Sequence, residues 1–419
     1  MLGENENRVI IIGGGAAGMM AAIHASENGA DVLIIERNKT CGKKLRITGK
    51  GRCNVTNDCY LGEFLKNVPT NQKFLYSAFD NFSSEDTKLF FENEGVPLKV
   101  ERGRRVFPVS DKAEDIVSAM VRACKNRGVT TVTDRISELI TENGTVKGCI
   151  SENGKIYLGK AVIIATGGLS YPLTGSDGDG YALAKSVGHK VTPLIPSLVP
   201  IVSKSKICPS LQGLSLKNVS LSVTSRETGK KVYEDFGEMM FTHFGMTGPM
   251  ILSASAHLSD VYGSSNCKYD AHIDLKPALD DKTLDARLLS DFSKYGNKDF
   301  ANSLGDLLPQ KLIPVIISLS GISPHKKVNS ITKEERHALA AVLKDIRISV
   351  DGFRPIKEAI ITKGGVSVDG ITPGTMESKL CSGLYFAGEV IDLDAYTGGF
   401  NLQIAFSTGA LAGKRAAWS

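Results

Sequence analysis

The sequence lacks the signatures of several common protein classes. Its eight cysteines, at positions 41, 53, 59, 124, 149, 208, 267 and 381, include no C-x-x-C pair and no C-x-x-x-x-C pair. That spacing argues against a zinc site, a disulfide framework and a vicinal redox dithiol, and no metal is expected. No run approaches the ~18–20 apolar residues that cross a bilayer, so no membrane association is expected. Residues 9–25 imitate a secretory leader, but Glu4 and Glu6 precede them in place of a basic segment, and glycines interrupt them. Reduced thiols and no leader point to the cytoplasm. A strong charge of either sign is missing too. Fifty basic residues stand against 45 acidic ones, a formal net charge of +5, and nucleic acid is not expected as a partner on charge alone. There is no internal repeat and no low-complexity tract.

What the 419 residues do contain is a globular balance, with 42% hydrophobic and 23% charged residues, in a chain too long for one ordinary core. Its 43 glycines cluster at a few places, as turns against a ligand require.

Residues 9–12 form a fully apolar run, as in a strand buried on both faces. Gly13-Gly14-Gly15-Ala16-Ala17-Gly18 follows and satisfies G-x-G-x-x-G. Residues 19–27 read as a helix that stops at Asn28-Gly29, and 31–35 as a second strand ending on Glu36, with Arg37 next. Each part has a physical role. Gly13 permits the tight turn, Gly15 lets backbone approach a pyrophosphate, and Gly18 brings helix and strand together. The N–H groups around Ala16 and Ala17 face the phosphates, and Glu36 accepts from a ribose 2′-OH. An acid there disfavours a 2′-phosphate, so FAD or NAD fits better than NADP.

Two later segments favour FAD. Residues 160–165 read as another buried strand running into Thr166-Gly167-Gly168. Residues 383–387 read as a strand leading into Gly388-Glu389, then Tyr396-Thr397-Gly398-Gly399-Phe400-Asn401-Leu402-Gln403 and a helix of small apolar residues ending near Lys414. A cofactor longer than NAD, with a ribityl chain and an isoalloxazine ring, would need such a distant segment to complete its site.

With these motifs the chain resembles the HI0933-type flavoproteins, also called the BaiN-like or aminoacetone-oxidase-like group of FAD-dependent oxidoreductases. Further landmarks are Thr48-Gly49-Lys50-Gly51-Arg52-Cys53-Asn54-Val55-Thr56-Asn57, Gly103-Arg104-Arg105-Val106-Phe107-Pro108, and Thr174-Gly175-Ser176-Asp177-Gly178. Phe241-Thr242-His243-Phe244-Gly245 and Thr362-Lys363-Gly364-Gly365-Val366 complete the set. The resemblance spans essentially the whole chain. It implies an α/β fold: a Rossmann-like, glutathione-reductase-like FAD domain carrying an inserted β-rich, barrel-like domain and a small helical domain.

The expected division is 1–190 for the first part of the FAD domain, 191–275 for a β-rich insert and 276–345 for a helical insert. Residues 346–354 return to the FAD domain and 355–419 form its second part. Pro193, Pro196 and Pro200 mark the first boundary. Residues 219–224 alternate as a strand does. Residues 283–292, 299–304 and 333–343 read as amphipathic helices, the last with Thr332 and Glu335 spaced as a capping box. Modules inserted between two halves of a cofactor domain would place the substrate at their interface.

Lys43, Lys44, Arg46, Lys50 and Arg52 form a basic run that is either a solvated face or a partner for the pyrophosphate. The resemblance assigns Lys44 to the cofactor and Arg52, Cys53 and Asn54 to the isoalloxazine. It also brings Ile136 to the adenine. Asp177 and Asp392 are candidates for the ribityl or pyrophosphate side, with a turn residue as the alternative for each. Cys53 has no partner thiol and reads as a packing residue. His243, between Phe241 and Phe244, reads as a core histidine by default, with a proton donor facing the flavin as the alternative. No residue is assigned as catalytic.

The expected function is hydride transfer to or from flavin N5 on a small organic substrate. Only one dinucleotide fingerprint is present, which leaves NAD(P)H open as a transient donor and its dedicated site absent. The alternatives are a flavin-containing RNA-modifying or RNA-binding protein, a plain NAD-dependent dehydrogenase and a non-catalytic flavin-bound scaffold. Substrate identity and oligomeric state are not written in these residues.

Overall fold

The computed structural model describes residues 7–263 and 268–419; Glu4, Glu6 and Cys267 lie outside them. The chain divides into two compact units, Met1–Ser197 with Pro355–Ser419, and Leu198–Arg354.

The first unit is built on β1 (Arg8–Ile12), α1 (Ala16–Glu27) and β2 (Asp31–Glu36). β1 reads Arg-Val-Ile-Ile-Ile, and its four apolar residues are fully or almost fully buried. Branched residues with no polar alternation suit a central parallel strand covered on both faces. It takes that place in a five-stranded sheet ordered Leu384–Phe386, Ala161–Ile164, β1, β2, Thr130–Thr133. The registers are parallel throughout, with Val9 opposite both Ala161 and Val32. Strands close to both chain ends therefore share one sheet. The first helix starts at Ala16, three residues before the start read from the sequence.

The helix Phe400–Trp418 packs against α1. A side-chain carbon at Gly409 or Gly413 would overlap the carbonyl oxygen of Ala17 or Ala21. The four-residue spacing of these glycines is what lets the two backbones touch.

β3 (Thr56–Asn57) pairs with β5 (Arg105–Pro108), which pairs in turn with β4 (Leu98–Glu101). The helix Ala113–Asn126 has no counterpart in the sequence reading. Its signal is the apolar spacing of Ala113, Ile116, Val117, Met120, Ala123 and Cys124, all buried.

The second unit holds a seven-stranded sheet running from Ile346–Val350 through Tyr269–Asp274, Ser215–Ser225, Lys231–Thr242, Gly245–Thr247 and Ile201–Val202 to Gly352–Phe353. The helices Asp281–Tyr295, Ile313–Ser320 and Lys333–Lys344 bury Leu284, Ile316, Leu339 and Leu343 in the same apolar core as the sheet residues Leu221, Ala271 and Ile348. Strand and helix segments thus make one unit. Residues 346–354, read from the sequence as a return to the first domain, pair within the second unit: Ile348 lies opposite Ala271, and Phe353 opposite Ile201. The segment 299–304 is a single 3-10 turn, Phe300–Asn302, and not an amphipathic helix. Thr332 and Glu335 form the capping box, Thr332 Oγ1 accepting from Glu335 N and Glu335 Oε2 from Thr332 N.

Among the described residues the seven cysteines are free thiols, and no helix is long and apolar enough to cross a membrane.

Candidate cofactor site

At the end of β2 the Glu36 carboxylate is buried, 8% exposed. Its Oε2 accepts from the Gly14 N–H at 2.7 Å, and its Oε1 from the Asn38 N–H and Nδ2 at 2.8 and 2.7 Å. These bonds fix the acid over the glycine turn, where the first strand–turn–helix presents its N–H groups. Gly13 has φ +105°, and a side chain there would meet the Ala165 carbonyl. Gly18 packs so closely on the Gly13 carbonyl that a methyl group would overlap it.

α1 is preceded by Gly15, which offers no side-chain cap, and has no acid in its first turn. Its first free N–H groups, on Ala16 and Ala17, carry about half a positive charge between them and their neighbours. Nothing lies within 4 Å of where a Gly15 side chain would start. An uncapped helix end beside open space suits a diphosphate. Thr166, after the strand Ala161–Ile164, adds a buried hydroxyl with no hydrogen-bond partner among the described residues, and Gly167 and Gly168 follow it.

Arg37 pairs with Asp177 and, at 3.4 Å, with Asp179. Arg135 binds Asp179 at 2.7 Å and Asp177 at 3.2 Å. The next residue, Ile136, is buried at the start of the strand Ile136–Glu142. The structure thus gathers Arg37, Ile136 and Asp177 at the Glu36 end of the sheet. Asp177 is tied to arginines in this arrangement.

A second cluster joins four distant segments. Lys44 Nζ donates to Glu389 Oε2 at 2.7 Å and to Ser170 Oγ at 2.6 Å. Glu389 Oε1 accepts from Ser170 Oγ and from Thr362 N, each at 2.9 Å. Thr362 Oγ1 in turn accepts from Leu169 N at 2.7 Å. Ser170 was missed by sequence reasoning and Thr362 was quoted only in a motif without a role, because neither stands in a recognisable pattern with Lys44. Gly388 N donates to Thr408 Oγ1 at 2.9 Å, tying the loop to the C-terminal helix.

Cys53 is fully buried with φ +60°, and its N–H donates to the Thr48 carbonyl at 3.0 Å. Burial pushes its thiol up to about 12, so it offers no thiolate near neutral pH. The adjacent Asn54 has a buried Oδ1 with no hydrogen-bond partner among the described residues. Asn54 Oδ1 and Thr166 Oγ1 are two of the buried polar atoms left without a partner, the condition a bound group relieves.

Three assignments need correction. The Arg52 guanidinium is engaged by Glu101 at 2.5 Å and Asp111 at 2.8 Å, and lies 4.1 Å over the Phe107 ring. It braces the β4–β5 hairpin and is not a free cation for a ring or phosphate. The Asn401 side chain is consumed by its own loop, with Oδ1 accepting from Ala395 N at 3.0 Å and Nδ2 donating to Ala395 O at 2.7 Å. Only its backbone remains for a ligand. His243 is exposed on the turn between Lys231–Thr242 and Gly245–Thr247, edge-on to Phe244 at 5.0 Å, and is not a core histidine.

Leu402 lies in the first turn of the C-terminal helix, half-buried, and Gly399 precedes that turn with φ +98° against the Thr56 backbone. Burial raises the Asp392 carboxyl above its ordinary range; its N–H donates to Val366 O at 3.0 Å, and its carbonyl accepts from Asn71 Nδ2 at 2.8 Å. Gln403, quoted in the tail motif without a role, is fully buried. Its Oε1 accepts from Thr56 and Thr87 at 2.6 and 2.8 Å, so it locks the tail helix to β3.

Residues 7–415 match the model of the HI0933-like protein Rossmann domain. The 3-dehydro-bile acid delta(4,6)-reductase of Clostridium scindens is 31% identical over 98% of this chain and 99% of its own length. The ribosomal RNA dihydrouridine synthase of Escherichia coli is 31% identical over 95% of each chain. Among solved structures, the 3-ketosteroid-delta4-(5alpha)-dehydrogenase of Rhodococcus jostii RHA1 superposes with a TM-score of 0.54 over 100% of this chain and 98% of that one. At 16% identity that likeness speaks for the fold. A family match over almost the whole chain joins a parallel sheet, an uncapped helix at the glycine turn and a buried acid. The chain belongs to the HI0933-like family and is an FAD-dependent oxidoreductase.

Proposed function

We propose that the protein reduces a carbon–carbon double bond conjugated to a carbonyl in a small organic substrate. The observation that carries this reading is a shared chemistry in the names of two near-full-length relatives. A delta(4,6)-reductase of a 3-dehydro-bile acid and a dihydrouridine synthase both hydrogenate an alkene in conjugation with a carbonyl group. Conjugation makes the β carbon electrophilic, and hydride is the matching nucleophile.

Reduced FAD would supply that hydride to the β carbon from N5, and a proton from solvent would complete the α carbon. The chain's residues bind and orient the cofactor. The uncapped start of α1, with Gly13, Gly15, Ala16, Ala17 and Gly18, receives the diphosphate. Glu36 takes the ribose, and Arg37, Ile136 and Asp177 frame the adenosine end. Thr166, Gly167, Gly168, Lys44, Gly388, Glu389 and Asp392 line the ribityl side. Cys53, Asn54, Gly399 and the start of the C-terminal helix at Asn401 and Leu402 surround the ring. The protonated, buried Cys53 thiol supplies packing and no nucleophile. NAD(P)H is the reductant that fits this reading, and with a single dinucleotide fingerprint in the chain it would dock transiently, without a pocket of its own.

A second reading is reduction of uridine within RNA, favoured by the ribosomal RNA dihydrouridine synthases among the relatives, including that of Haemophilus influenzae at 29% identity. Photoreduced holoprotein mixed anaerobically with a 3-oxo-4,6-diene steroid tests the first reading through loss of the dienone absorbance. Mixing with an unmodified ribosomal RNA transcript tests the second through a gain of two hydrogens per modified nucleoside. Failure of both to reoxidise the flavin defeats the shared chemistry.

A further inference from the structure

We propose that the tip of the β4–β5 hairpin, Arg102 and Arg104, recognises an anionic group, a carboxylate or a phosphate, on the substrate. The proposal rests on the function above only in placing the ring beside Gly398 and Gly399.

The tip is built into the site's framework. Asn57 Nδ2 donates both to the Gly103 carbonyl, at 3.0 Å, and to the Gly398 carbonyl, at 3.1 Å. One amide thus staples the hairpin tip to the glycine turn that starts the C-terminal helix. Asp58 N holds the Arg104 carbonyl at 2.8 Å, and Arg105 Nε holds the Arg102 carbonyl at 3.0 Å.

Arg104 sits at φ +57° next to Gly103 at +77°. A left-handed backbone is unfavourable for a side-chain-bearing residue, and glycine is its ordinary occupant. An arginine at such a position points to use of its side chain.

The surrounding charges leave that side chain available. Arg104 lines a cavity together with Cys59, Tyr60, Ser83 and Glu85. The acids nearby have cations of their own. Glu63 binds Lys66 at 2.6 Å, and Lys88 binds both Asp58 and Glu85 at 2.6 Å. Arg52 is likewise matched by Glu101 and Asp111. Arg102 and Arg104 are exposed, and Arg104 helps Lys66, the main cause, to hold the Glu63 carboxyl below its ordinary range, although among the described residues neither guanidinium is within ion-pair or hydrogen-bond distance of a partner. A guanidinium fork suits a planar or tetrahedral oxyanion.

The test uses FAD-loaded protein and two ligand pairs: a 3-oxo-4-ene steroid bearing a side-chain carboxylate against its methyl ester, and uridine 5′-monophosphate against uridine. Binding is read by calorimetry and by perturbation of the flavin spectrum. In at least one pair the anion should bind about ten- to a hundredfold more tightly, the range of a charge-assisted hydrogen bond. The pair that shows it tells carboxylate from phosphate. Arg104→Gly should abolish the preference while FAD content stays unchanged and the thermal midpoint holds or rises, because glycine relieves the backbone. Arg102→Ala should reduce the preference, and Arg104→Lys should keep part of it. Equal binding of anion and neutral partner in both pairs, no binding of any of the four, or a preference that survives Arg104→Gly would each overturn the proposal. Turnover in the same samples is a separate readout: anion-selective binding without alkene reduction defeats the reaction and leaves the tip standing.

Discussion

Lys44 and Glu389 lie 345 residues apart in the chain and meet as an ion pair at 2.7 Å, each side chain about one-fifth exposed. Ser170 and Thr362 complete the carboxylate's hydrogen bonds. A charge held this way orders three loops around the expected ribityl path. Glu389→Gln and Lys44→Met should each weaken FAD binding by about 1–3 kcal/mol, the cost of breaking a hydrogen-bonded charge pair. The double variant should cost little more than either single one. Dissociation constants measured by titrating apoprotein with FAD decide it, and additive losses would mean that the two residues act independently.

Glu36→Ala should weaken FAD affinity by roughly 1–3 kcal/mol, the range for losing the charge-assisted bond proposed between this acid and the ribose. It should also destabilise the protein without FAD, because Gly14 N and Asn38 N lose their acceptor. Denaturant midpoints with and without FAD separate the two effects. An unchanged affinity would make Glu36 a brace for the turn and nothing more.

Gly399→Val should be severe. Its φ is +98°, and a side chain would run into the Thr56 backbone, prying the tail helix from β3. Backbone strain and overpacking together predict at least about 1–3 kcal/mol of destabilisation with loss of cofactor. Thermal unfolding and the flavin-to-protein absorbance ratio provide the check; a variant that stays yellow with an unchanged midpoint would show that the turn tolerates side chains.

Acid should destabilise the protein starting near pH 6.5. His189 is buried edge-on to Phe386, and burial lowers its folded-state pKa below 6.5. Ser378 Oγ accepts from Leu380 N and Cys381 N, so its own hydrogen points to His189 Nε2 at 2.7 Å. The unfolded chain therefore binds the proton more tightly. Stability is fully present above pH 6.5 and is lost progressively as pH falls through the folded pKa. Urea midpoints between pH 8 and pH 5 should fall, and His189→Gln should flatten that slope. A slope unchanged by the substitution would place the acid sensitivity elsewhere, for example at His24, whose pKa burial also lowers.

Reduction by NADH or NADPH should saturate weakly and discriminate little between them, because no second fingerprint offers a nicotinamide nucleotide its own pocket. Anaerobic stopped-flow traces give both constants. Micromolar affinity with a preference above about a hundredfold would reveal a dedicated site.

The sequence by itself determined the strand–turn–helix at Gly13 to Gly18, the acid that ends β2, the FAD-binding α/β class and the Thr332–Glu335 cap. Apart from the FAD class, which rested on motifs spread along the whole chain, these are local patterns: strand burial, helix spacing and caps are set by residues within a few positions of one another. Tertiary structure decided who partners whom. Arg52 looked like a cofactor cation until β4 and the loop after β5 brought Glu101 and Asp111 to it. Asn401 looked like a ligand until its loop folded back onto its amide. Residues 346–354 looked like a return to the first domain, yet they pair with strands more than 70 positions earlier. Which charges meet across hundreds of residues depends on sheet order and loop closure, and no local spacing encodes that.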